Sequence, residues 1–119
     1  MVQLIWSDLA QLDLDEIFRY YESFSLKVAI TYLEEIIKAG DLLEFFPEMG
    51  PKEAVLSHLD RNYRSVLVLH RYKLIYLFED NVCSILMVWD CRESPELLKN
   101  SDRFKDPDVP RQAAKSTGP

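Results

Sequence analysis

Cations gather in one stretch of this chain, residues 58–73, where Arg61, Arg64, Arg71 and Lys73 stand against Asp60 alone, with His58 and His70 beside them. Guanidinium and ammonium groups held together can grip a phosphate or a carboxylate, and an imidazole among them can move a proton. The rest of the chain runs the other way. Residues 1–57 carry 4 basic and 11 acidic groups, and the 119 residues together carry a formal charge of −6. A general nucleic-acid binder is basic overall, so any anion-directed chemistry here belongs to that local patch.

Other chemistries lack their residues. Cys83 and Cys91 fall in and just after an apolar run that reads as a strand. Eight residues of strand would hold them roughly 26 Å apart, far beyond disulfide reach. Two thiols and two scattered histidines show no ligand spacing, so neither a metal nor a cofactor is expected. There is no Ser/His/Asp set and no phosphate-cradling glycine loop. Asp13, Asp15 and Glu16 lie close together, but they read as the solvated face of a helix.

The elements that must position the patch follow from periodicity. Val2 to Trp6 is a short apolar run, and Ser7-Asp8 is a helix start with Ser7 as N-cap. Ala10, Leu14, Ile17, Tyr21 and Phe24 recur at helical spacing, and so do Ala29, Leu33, Ile36, Gly40 and Leu43 after a second cap at Ser25. Ile37 and Tyr32 widen the second stripe. The second helix must end before Pro47. Two helices joined so tightly predict an antiparallel hairpin.

Beyond the turn cluster Phe46-Pro47-Glu48-Met49-Gly50-Pro51 come three runs rich in β-favouring residues: Tyr63 to Leu69, Tyr72 to Phe78 and Val82 to Trp89. Glu79-Asp80-Asn81 is a good hairpin turn between the last two; His70-Arg71 is a poor one between the first two. Ala54 to Ser57 offers a further short strand. The order is β-α-α-β-β-β, an α+β fold in two layers, with the helix hairpin over one face of an antiparallel sheet. The polar stretch 100–119 reads as a flexible tail behind a domain of residues 1–99. With no signal-like N-terminus and no long apolar run, a cytoplasmic location is expected.

Several of these segments together resemble the RelE/ParE superfamily of plasmid-stabilisation toxins. They are Ile5-Trp6-Ser7 with Ala10, Asp13-Leu14 to Ile17, Phe46-Pro47-Glu48-Met49-Gly50, Tyr63-Arg64, Tyr72 to Tyr76, and Val88 to Pro95. The resemblance spans roughly residues 2–96 in order. It implies the toxin of a type II toxin–antitoxin module, neutralised by a cognate antitoxin. One branch of that superfamily cleaves mRNA in the ribosome; the other poisons DNA gyrase and is not a nuclease.

A nuclease of this kind needs donors aimed at the phosphoryl oxygens and groups to move protons. The resemblance places Arg64, Lys73 and Arg92 at the superfamily's basic positions, with His70 or a tyrosine assisting. Against this, Val66 stands where nucleases carry a second cation, and Glu93, Pro95, Glu96 and Leu97-Leu98 replace the basic or aromatic residues that follow Arg92. The structural alternatives are a strand cation paired to an acid for Arg64, and a pair with Asp90 or Glu93 for Arg92. The motifs sit nearer the ParE-like group, whose members act by binding. A ribosome-dependent endoribonuclease and a non-toxic relative keeping the fold are the alternatives. One helix hairpin covers one face of a sheet, so an antitoxin segment is expected on what remains.

Overall fold

The computed structural model describes residues 2–104. Its elements run β1 (Gln3–Trp6), α1 (Asp8–Glu22), α2 (Leu26–Leu42), β2 (Tyr63–Val68), β3 (Tyr72–Glu79), β4 (Val82–Asp90) and α3 (Pro95–Lys99). Both predicted caps form: the Ser7 hydroxyl accepts from Ala10 N at 3.1 Å and that of Ser25 from Val28 N at 3.3 Å. The helix stripes bury Ala10, Leu14, Tyr21, Ala29, Ile36 and Leu43 against the sheet. Two members of the expected stripes are outside it. Phe24 lies past the end of α1 and Ile37 faces out from α2; both are exposed.

The sheet order is β1-β4-β3-β2. The last three strands are antiparallel as expected, and β1 joins the edge of β4 in parallel, from Gln3 opposite Val82 to Trp6 opposite Ile85. Gly40 lets this happen: a Cβ there would strike the Trp6 ring. The sheet is therefore mixed. Both hairpin turns are closed by two residues at positive φ, Leu69-His70 (52° and 56°) and Asp80-Asn81 (52° and 63°). That is the geometry a two-residue hairpin demands. The first turn sits one residue earlier than its composition suggested.

Alternation sends Val68, Tyr72, Leu74 and Tyr76 toward the helices and Tyr63, Ile75 and Leu77 to the opposite face. That second face is not bare, which corrects the expectation of a single covered face. Leu56, Leu98 and Phe104 pack on it with Leu86 and Met87. The segment expected to add a strand at 54–57 is instead a 3₁₀ turn, Ala54–Leu56, because the Glu53 carboxylate caps it from Val55 N at 2.9 Å. Residues 102–104 form another 3₁₀ turn, so the fold continues past Asn100; the remainder of the expected tail, 105–119, lies outside the described residues. Among the described residues no helix is long and apolar enough to cross a membrane.

Candidate functional site

Strand register decides what the predicted cations can do together. Arg64 lies opposite Tyr76 and Lys73 opposite Leu67. By alternation Arg64 shares the helix-side face with Val66 and Val68, while Lys73 points to the other. Three residues of strand add roughly 10 Å between them. The sheet itself separates these two.

On the helix side the Arg64 guanidinium donates to the Gly50 carbonyl at 2.8 Å and the Glu48 carbonyl at 3.3 Å, with the Glu48 carboxylate 3.6 Å away. The Tyr76 hydroxyl donates to the Pro47 carbonyl at 2.7 Å and accepts from Gly50 N at 3.2 Å. The Pro47-Glu48-Met49-Gly50 turn is thus pinned from two strands. A Cβ on Gly50 would collide with the Ser65 carbonyl and the Tyr76 hydroxyl, which is why glycine stands there.

On the opposite face Lys73 Nζ is 2.8 Å from Glu53 Oε1, which also accepts from Ser65 Oγ at 2.8 Å. Burial alone would push the Glu53 carboxyl up. The Lys73 ammonium, the Val55 N–H and the Ser65 hydroxyl outweigh that and hold it below the usual carboxylate range. Sequence reasoning did not single out Glu53, since nothing near residue 53 announces that Ser65 and Lys73 will converge on it.

Arg92 and His70 come to the same end of the sheet. Arg92 grips Asp90, Nη2 to Oδ2 at 2.8 Å and Nε to both oxygens at 3.2 Å. That contact first, and burial against it, leaves the Asp90 carboxyl below its ordinary value. The structural alternative for Arg92, a pair with Asp90, is what forms. His70 is exposed in the turn between β2 and β3. A groove of about 350 Å³ between α1 and the end of β4 is lined by Glu16, Tyr20, Tyr72, Asp90, Arg92 and Glu93 among others. Its acids (Asp13, Glu16, Asp90, Glu93) outnumber its cations (Arg92, Arg103).

Asp13 is a correction. It is not part of a solvated face: both its oxygens lie 2.7 Å from Arg103, and Oδ2 accepts from Val88 N at 2.9 Å. The register slips between Ile75 and Tyr76, whose partners on β4 are Met87 and Ile85, so Leu86 is an extra residue. Arg103 also donates to the Leu86 carbonyl at 3.0 Å. One ion pair therefore satisfies both backbone groups around the bulge and ties down residues 95–104. Arg103 lay in the expected tail, where no periodicity marks it.

By sequence Arg71 is only one member of the basic patch. Its guanidinium sits over the rings of Tyr21 and Tyr72, 5.5 and 5.8 Å from their centroids. Tyr21 stacks on Tyr32 at 4.1 Å and accepts a hydrogen bond from the Tyr72 hydroxyl at 3.3 Å. Cys83 is buried, its thiol pushed up to about 12 by that burial, and Cys91 is exposed; both are free. Among the described residues no group of His, Cys, Asp and Glu could hold a metal ion.

Comparison with known proteins adds a family. Residues 4–95 match the model described as "ParE toxin of type II toxin-antitoxin system, parDE". No curated protein matches the chain. A solved structure titled "Chromosomal ParDE TA system from P. aeruginosa" superposes with a TM-score of 0.64 at 18% identity, covering 76% of this chain and 96% of that one. At that identity the likeness is one of fold.

Proposed function

Because the chain belongs to the ParE toxin family of type II toxin–antitoxin systems, we propose that it arrests growth by binding an essential protein machine such as DNA gyrase, and that a cognate antitoxin neutralises it. The observation that carries this reading is the separation of the cations. Stabilising a phosphoryl transition state requires donors that converge on one point from preorganised positions. Arg64 and Lys73 face away from each other across the sheet, and each already serves a local acceptor: Gly50 and Glu48 for one, Glu53 for the other. Arg92 is held by Asp90. A binding toxin asks none of these groups to meet.

The test is induced expression in a bacterium lacking the antitoxin gene, following labelled thymidine and amino-acid incorporation over the first minutes. DNA synthesis should fall first with translation intact. Early loss of translation alone would overturn this reading and return Arg64, Lys73, Arg92 and His70 to a ribosome-dependent endoribonuclease. A Glu53→Gln, Lys73→Met double variant sharpens the test. It removes a buried pair as a unit, which proteins commonly tolerate. Toxicity should survive it.

A further inference from the structure

Arg71 is a half-buried cation with no carboxylate in ion-pair distance among the described residues. Among the described residues its buried Nε has no hydrogen-bond partner, and its guanidinium rests on the faces of Tyr21 and Tyr72. The other half-buried arginines each have an acid in ion-pair distance, Arg61 with Glu79, Arg64 with Glu48 and Arg103 with Asp13, although the Arg64 Nε is likewise buried without a partner. A guanidinium keeps its charge at any physiological pH, and ring faces replace only part of the lost hydration. The nearby carboxylate, Asp90, is already engaged by Arg92.

The surroundings of Arg71 form one continuous surface. Tyr21 meets Tyr20 edge-on at 5.0 Å, Tyr20 meets Phe24 at 5.2 Å, and Arg92 lies 5.9 Å above Tyr20. Phe24 is 70% exposed, Tyr20 46% and Leu69, in the adjoining turn, 43%. Exposed aromatic rings around arginines are the composition of interface hot spots.

The turn itself adds an independent sign. Leu69-His70 and Asp80-Asn81 adopt the same positive φ, which Asn, Asp and to a degree His tolerate but Leu does not. Residues held in such sparsely populated backbone regions cost about 1 kcal/mol or more each and cluster at functional surfaces. Folding alone would be better served by Asn-Gly. Here the strained tip presents an apolar side chain and an imidazole beside Arg71.

We propose that this end of the molecule seizes the target protein, with Arg71 receiving a carboxylate from it while Leu69, Tyr20 and Phe24 pack around that contact. The inference rests on the protein-binding reading of the toxin. A nucleic acid fits less well, because Glu16, Asp90 and Glu93 share the adjoining groove and the chain carries −6 overall. The antitoxin fits better elsewhere. A permanent partner calls for a large apolar face, and Leu42, Phe45, Phe46 and Met49 supply one at the end of α2, next to Asp41 and Glu48.

The experiment measures binding of the full chain to purified DNA gyrase holoenzyme and, separately, to the purified antitoxin. The variants are Arg71→Gln and Leu69→Gly, with melting curves as the control for folding. Leu69→Gly relieves backbone strain, so it should melt no lower than the parent. Each variant should weaken gyrase binding at least tenfold and leave antitoxin binding unchanged. Unchanged gyrase binding overturns the inference while the proposed function stands. Loss of antitoxin binding instead would give this surface to the antitoxin and overturn it too. If the parent chain does not bind gyrase, the proposed function fails, and the inference with it. If the parent binds a single-stranded RNA and the variants do not, the surface belongs to nucleic acid and the inference is wrong.

Discussion

Glu53 has 2% of its side chain exposed and still carries a charge, which it can do only because Lys73, Ser65 and Val55 N–H share its two oxygens. Removing the cation alone strands that charge. Lys73→Ala should cost about 2 to 3 kcal/mol in chemical denaturation, less than for a fully enclosed pair because 34% of the Lys73 side chain reaches solvent. The acid side of the stability curve carries the same signature. A carboxyl whose pKa is lowered by folding stabilises the fold above its unfolded value and loses that contribution as pH falls through the folded value. For Glu53 the loss begins near 4.5, the ordinary value, and runs below it. Glu53→Gln should flatten that part of the curve; an unchanged acid limb would mean the carboxylate is not what titrates there. Tyr76→Phe should cost about 1 to 3 kcal/mol, since it leaves Gly50 N and the Pro47 carbonyl without their partner. At this scale the sequence is partly legible. Asp90 and Arg92 stand two residues apart and their pairing could be foreseen. Glu53 with Lys73, or Asp13 with Arg103, are joined only by the fold.

Elements were legible where their signals are local. Two serine caps, two helical stripes and the Asp80-Asn81 turn announce themselves in short windows of sequence. Leu69-His70 does not, because Leu at its first position disfavours positive φ and the β-rich run continues through it. Replacing both turn residues, Leu69→Asn with His70→Gly, should raise stability by about 1 to 2 kcal/mol, read as a higher melting temperature. A lower one would mean that the turn is not strained. The five residues of α3 were beyond reach for a different reason: they are held by Leu98 in the second core and by the Arg103–Asp13 pair rather than by helical propensity. Arg103→Ala should therefore release residues 95–104 before anything else. Hydrogen exchange should quicken there while the amides of β3 keep their protection; uniform loss across the sheet would contradict the assignment.

The molecule as a whole is a sheet covered on both faces, by α1 and α2 on one and by residues 54–59 and 95–104 on the other. A domain ending at residue 99 would lack Phe104, which lies edge-on to Tyr63 at 5.4 Å, and Arg103. A chain stopped at Phe104 should unfold cooperatively, and one stopped at residue 99 should bind a dye for exposed apolar surface and melt earlier. Equal melting of the two would return the boundary to 99. The parallel seat of β1 was hidden from sequence because four residues carry no mark of which strand they will join, or in which direction. That seat also sets a clock. Gln3–Trp6 are made before their partners, Val82 to Ile85, which follow nearly eighty residues later. During synthesis β1 must wait, unpaired, until Val82 to Ile85 have emerged, and Trp6 cannot close over Gly40 and Ile85 before then. A nascent copy therefore carries an incomplete sheet, with its β1 edge unpaired, until β4 has been made.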